Sequence, residues 1–465
     1  MESARKLTRR SFLRFAGAAG GVAALAACVP ATPQVTAPTK APVETVAAEP
    51  TTVTKEVATV EPVTVEMWAP HPLDENIKID DFVAQYFTPQ HPDISLKFTR
   101  VPGDWEQKFR TAAAGKELPD IFAVDGINVP AYASRGLCAE LDEVIPADVL
   151  DDYYPSARAE MQFRGKTYGV VLETNSQGVR VNVDLMKKAE VEPPKTWEEL
   201  VEVGQKLTLD TNGKHPNEEG FDENALAQAA METWCCLGEG STWMIMPWIW
   251  MNGGEVIEED TRKVRLTEEL AIEAIQFLSD LIKKYKIWAK EGVLQAGPEG
   301  TWYGQLVVLS WTGAFNVAWL RSEPPAFEWD IAPIPVPSST GKRISGVGGW
   351  LFSAWKESKN LKAALPFMEF MTSPEWQKHV SIYGYAIPGR RSIVEERLPE
   401  EPMLKVFLDA MLTGKARPRS TQYPLITDAF QQAIDSCIFG DRPVREALEE
   451  AAQKISDALA LEEAE

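Results

Sequence analysis

The chain has 465 residues, 45% of them apolar, a formal charge of -21, and 15 Trp, 18 Phe and 10 Tyr. That length suits one large two-lobed protein or two domains, and the negative charge excludes nucleic acid and anionic lipid as electrostatic partners, since their phosphates would be repelled. The 5 Cys and 4 His show no CxxC or metal-ligand spacing, which excludes a zinc site and a disulfide framework; no cofactor is expected.

In chain order, the twin-arginine stretch Thr8-Arg9-Arg10-Ser11-Phe12-Leu13-Arg14 precedes an apolar run, Phe15 to Ala27, too short to span a membrane. It ends in Leu25-Ala26-Ala27-Cys28, small residues before a cysteine. Together these features resemble a bacterial twin-arginine lipoprotein signal, so residues 1–27 are expected to be removed and Cys28 to be acylated. Residues 28–60, rich in Pro, Thr, Ala and Val and without an aromatic residue, cannot bury a core and read as a disordered tether.

From Val63 to Trp68 the sequence alternates as a strand does; Lys78 to Phe87 is helical, Ile94 to Val101 a strand, Trp105 to Ala114 a helix stopped by Gly115, and Leu118 to Gly126 a buried strand running into a loop. Strand, helix, strand, helix, strand predicts a parallel sheet with right-handed crossovers, with ligands at the carboxyl ends of the strands. Thr196 with Glu199 forms a capping box. Later helices are expected over 267–285, 360–372, 373–383 and 443–461, and Pro333, Pro335 and Pro337 stiffen a segment that suits an interlobe crossing. No internal repeat is found.

Several phrases in these elements are shared with one family. They are Leu118-Pro119-Asp120-Ile121-Phe122, Gly165 to Val170, Val181 to Lys188 running on to Pro193-Pro194-Lys195-Thr196-Trp197, Asn252-Gly253-Gly254, Ser358-Lys359-Asn360, and Phe370 to Gln377. In order and spacing the chain resembles the extracellular solute-binding proteins of ATP-driven sugar importers, relatives of the maltose-binding protein. Val181 and Gly304-Gln305-Leu306-Val307-Val308 depart from the family pattern at what look like packing positions. The resemblance implies an α/β, two-lobed periplasmic-binding-protein-like fold of class II, with three interlobe crossings and the solute held in a cleft closed by hinge motion. Lobe 1 is expected over 61–171 and 341–391, and lobe 2 over 174–335 and 396–465. The implied role is a lipid-anchored, exported monomer at the outer face of the cytoplasmic membrane that hands a carbohydrate to the transmembrane subunits of an importer, with no catalysis. A sugar phosphate, a glycerol phosphate or a polyamine is the alternative solute. A glycosidase using Asp125 and Glu173 is the rival enzyme class, and an adhesive lipoprotein is a third reading.

A sugar needs aromatic rings for its C–H face and fixed polar groups for its hydroxyl edge. The aromatic candidates are Trp68, Trp311, Trp350, and Trp248 and Trp250 from the cluster that begins at Trp243. The last two have the i, i+2 spacing of a strand, which would turn both to one side. Trp311 is expected to follow a buried strand, 306–310, and to resemble the aromatic residue that opens the next helix. Trp350 follows Gly348-Gly349, where a ligand could approach the backbone. Polar candidates are Asp125 in a loop after a lobe 1 strand, and Glu173, Thr174 and Asn175 in the crossing into lobe 2; Glu173 resembles a sugar-contacting Glu of the maltose receptor. Tyr385, Arg390 and Tyr423 return toward the cleft. Any of these tryptophans could equally be a packing residue.

Overall fold

The run Ile121-Phe122-Ala123-Val124 has no polar residue to turn toward water, and it forms a strand buried on both faces, Ile121–Asp125. The computed structural model describes residues 61–70, 78–102, 105–232, 238–290, 292–296, 300–383, 387–397 and 402–463. The expected signal peptide, Cys28 and tether lie outside the described residues, as do Tyr385 and the pair Cys235 and Cys236. Among the described residues no helix is long and apolar enough to cross a membrane.

Around that central strand a five-stranded sheet assembles in the order 94–100, 63–69, 121–125, 350–354, 170–171. The first three strands are parallel, as the strand–helix alternation predicts. Strand Trp350–Ala354 runs antiparallel to its neighbours because the chain enters it on returning from the second lobe, and its register sets Trp350 opposite Asp125. Val65, Met67 and Ala69 bury the inward face of the first strand, and Phe109, Phe352, Phe367 and Trp376 fill the layer against it. Phe407, Leu408 and Met411, beyond the boundary expected for lobe 1, also pack in this core from the helix Pro402–Leu412.

The second core gathers on an antiparallel sheet, Leu309–Gly313, Gln177–Asn182 and Trp329–Ala332, against helices Glu239–Met251, Glu269–Lys283, Tyr423–Ile434 and Val444–Glu463. Thr196 caps its helix, Trp197–Leu207, by accepting from Glu199 N at 3.1 Å, and the Glu199 carboxylate accepts from Lys195 N at 2.7 Å. The proline-marked segment is not itself the free crossing: Val336 pairs with Thr196, and Ile334 lies in the second core.

The backbone passes between the lobes where extended segments pair. Asn175 N donates to Gly348 O at 2.7 Å, Thr174 N donates to Ile387 O at 3.1 Å, and Gly346–Val347 pairs in parallel with Lys415–Ala416. Gly349 sits so close to the neighbouring crossing that a Cβ there would overlap the Glu173 carbonyl oxygen. Glycine therefore serves the packing of backbone on backbone at this position.

Candidate ligand-binding cleft

Beside these crossings lies a cavity of about 290 Å³, close to the lower end of small-molecule sites. Asp125 comes to it from the end of a lobe 1 strand, as carboxyl-end placement predicts. Trp350 arrives on the adjacent strand through the register that pairs the two residues. Glu173 and Asn175 come from the first crossing, and Trp243 and Glu239 from the first turns of the helix Glu239–Met251. Phe315 opens the helix Phe315–Ser322, where its N–H donates to Asn175 Oδ1 at 3.2 Å. Gln177 fixes the Trp243 backbone by donating from Nε2 to its carbonyl at 2.7 Å.

Arg417, with 4% of its side chain exposed, ties the two lobes together at the cavity wall. Its Nη2 donates to Asp125 Oδ1 at 2.9 Å, and its Nη1 donates to Glu239 Oε1 at 2.6 Å and to Asp125 Oδ2 at 3.3 Å. Burial opposes the guanidinium charge, but Asp125 and Glu239 hold it well above its ordinary range. Glu239 also accepts from Tyr423 OH and, at 2.6 Å, from Thr427 Oγ1. Burial nevertheless lifts the Glu239 carboxyl above the usual carboxylate range against the pull of Arg417. The Glu173 carboxyl is pushed up to about 8, first by burial and then by Asp125. Glu160, buried beneath the cleft, reaches about 8 by burial, opposed by Arg417.

Four expected residues thus meet in one cavity: Asp125, Glu173, Asn175 and Trp350. Tyr423 stands just behind it, bonded to Glu239, and Thr174 is fully buried in the crossing. Trp68 lies on its strand with Nε1 donating to Glu66 at 3.2 Å, away from the cavity wall. Arg390 is committed to Asp152 at 2.8 Å and to the Thr372 carbonyl at 2.8 Å.

Trp248 and Trp250 are in a helix, not a strand, so they do not face one side. The helix is apolar all round and buried from Ser241 to Met251, and such a run carries no period to separate helix from strand. Trp248 stacks among Trp197, Phe277 and Trp311, and Trp250 bonds Glu255 at 3.0 Å beneath the Lys415 ammonium. Trp311 does not follow the strand but lies within it, 7% exposed and turned into the second core. The aromatic residue that opens the next helix is Phe315, four positions on, because the strand begins at Leu309 rather than Leu306.

The sequence reading missed Glu239, Phe315 and Arg417, and it named Trp243 only as the start of its tryptophan cluster. Phe315 was detectable as the first aromatic residue after Gly313. Arg417 stands in the basic run Lys415-Ala416-Arg417-Pro418-Arg419, three cations in five residues and unusual in so acidic a chain.

Compared with known proteins, residues 74–378 match the family model described as bacterial extracellular solute-binding protein. The maltotriose-binding protein of Pyrococcus abyssi is 23% identical over 386 residues, 80% of this chain and 77% of that protein. The cyclic alpha-maltosyl-1,6-maltose binding protein from Arthrobacter globiformis has a solved structure that is 25% identical, with a TM-score of 0.68, covering 86% of this chain and 99% of that one. UgpB from Mycobacterium tuberculosis, solved in complex with glycerophosphocholine, is 19% identical with a TM-score of 0.71 over 86% of this chain and 99% of its own, a likeness of fold alone.

Proposed function

The chain belongs to the bacterial extracellular solute-binding protein family, and on that premise we propose that it captures a carbohydrate between its lobes and delivers it to the membrane subunits of an ATP-driven importer. Its family is one of receptors rather than enzymes, so the carboxylates of the cleft are read as ligand contacts. The observation that carries the proposal is the joining of Trp243, Phe315 and Trp350 with Asp125, Glu173, Asn175, Glu239 and Arg417 around one cavity. Rings offer an apolar face to a sugar's C–H groups, and carboxylates and amides accept from its hydroxyls. Contacts drawn from both lobes favour the closed state when solute is present, which is how ligand binding drives hinge closure. That relatives are named for maltotriose and for a maltosyl-maltose ring supports a saccharide here.

A sugar phosphate fits less well. Among the described residues three carboxyl groups line the cavity, and the one guanidinium beside them is already engaged by two of them.

The protein is read as a monomer tethered by an acylated Cys28 and the Pro- and Thr-rich stretch that follows it. Replacing Cys28→Ser is expected to move the protein from the membrane fraction to the soluble exported fraction, and retention on the membrane would rule out this anchor. The solute assignment is tested by the melting temperature of purified protein across sugars, sugar phosphates and polyamines. A saccharide at about a hundred times its Kd adds about 2.7 kcal/mol to the folded state. A panel in which only phosphates or only polyamines raise the melting temperature would contradict the proposal.

A further inference from the structure

The charges at the cleft are unevenly matched. Asp125 and Glu239 share the Arg417 guanidinium, and Glu239 accepts from Tyr423 and Thr427 as well. Glu173 has no such provision. It lines the same cavity, its residue is only 8% exposed, and none of the hydrogen bonds or ion pairs among the described residues reaches its carboxyl oxygens. A carboxylate removed from water without a partner is costly, and it is retained where a partner arrives from outside. Around it stand Trp243, Phe315 and Trp350, aromatic rings of the kind that attract a cation, and among the described residues no cationic side chain other than Arg417 lines the cavity.

We infer that the cleft takes a saccharide bearing a protonated amine, with Glu173 as the ammonium's partner and the aromatic rings bracketing the sugar. The inference rests on the receptor reading above and narrows it. With Glu173 protonated before solute enters, Asp125 and Glu239 still outnumber the one guanidinium among the described lining residues, and lobe closure excludes the water that screens this charge. A cationic sugar brings the missing positive charge; an anionic sugar adds to the repulsion. A neutral sugar requires Glu173 to remain protonated in the closed cleft. The two cases therefore differ in protons as well as in affinity: with the carboxyl pushed up to about 8 by burial and Asp125, binding of an amine that is already protonated, at a pH below the amine's own pKa, expels a proton from Glu173. The other groups at the cavity, Asp125, Glu239 and Arg417, are paired with one another before solute arrives.

The test is titration calorimetry on the full chain with three saccharide probes of matched length, a glucosamine oligomer, its N-acetylated counterpart and an uncharged glucose oligomer, together with spermidine as an amine without a sugar. Each is run in two buffers of different ionisation heat. The glucosamine oligomer is expected to bind roughly ten-fold tighter than the N-acetylated one, with proton release seen only for the former. Glu173→Gln is expected to remove both the preference and the released proton, and its melting temperature reports whether the variant is folded. Equal or tighter binding of either uncharged oligomer overturns the inference and leaves the receptor reading intact. Binding of spermidine alone overturns the saccharide assignment, and a preference that survives Glu173→Gln overturns the role given to that residue. No binding by any probe counts against both readings.

Discussion

Two aromatic cavities among the described residues adjoin the helix Glu239–Met251 and share Met244 as a wall, and they differ in what accompanies the rings. The cleft sets Trp243, Phe315 and Trp350 beside three carboxylates and an arginine. The second cavity, about 30 Å³, sets Trp248, Trp288, Trp311 and Phe439 among Met231, Ile245 and Leu309 with only Glu232 and Ser241 for polarity. It has space for about one water and none for a sugar. The cleft is distinguished from the core here by the unmatched charge and open volume beside its tryptophans, not by how many tryptophans it holds.

The comparison breaks most visibly if Trp311 proves to be a ligand contact. Its ring stacks on Trp248 at 5.2 Å within the second core, so Trp311→Ala is expected to cost about 4 kcal/mol in urea unfolding while solute affinity stays within about two-fold. A large loss of affinity in a stably folded variant would move the site into the second lobe. Arg417→Met strands the carboxylates of Asp125 and Glu239 and should cost about 3 kcal/mol of stability by the same measurement. An unchanged unfolding midpoint would mean that the clamp across the cleft contributes nothing in solution. Trp350→Ala should do the reverse of Trp311→Ala: affinity falls roughly ten-fold, about 1.4 kcal/mol, with a smaller loss of stability, since its ring is half-buried at the cavity wall.

A separate effect is one of pH. Glu160 is pushed up to about 8 from an unfolded value of 4.5, so the folded chain keeps a proton that the unfolded chain releases. Its contribution to stability is greatest below pH 4.5 and declines as pH rises to about 8, by about 1.4 kcal/mol per unit at most. Glu160→Gln should flatten the difference between unfolding midpoints at pH 5 and pH 8. Identical slopes in the two proteins would show that Glu160 ionises freely where it lies.

The sequence made the first lobe readable because its strands are short, apolar and separated by amphipathic helices, so local pattern and tertiary burial agree. It also placed Asp125, Glu173, Asn175 and Trp350, each next to a strand end, a crossing or a glycine pair. It failed at the helix Glu239–Met251, whose apolar surface on all sides leaves no period to read. It failed also at Arg417, which meets Asp125 across 292 positions and Glu239 across 178, a constellation that exists only once the lobes have folded together. The fully buried Trp376, packed edge-on against Phe367, shows the agreement of pattern and burial from the other side.

Gly349 precedes Trp350 and packs on Glu173 at the point where two crossings touch, and even a methyl group there would collide with the Glu173 carbonyl oxygen. The joint is therefore closed to side-chain variation on its own account, while Glu173 and Trp350 beside it line the cavity. On the proposed reading, retuning this receptor toward another sugar would have to proceed by exchanging the ring at Trp350 or the acid at Glu173, with Gly349 left in place.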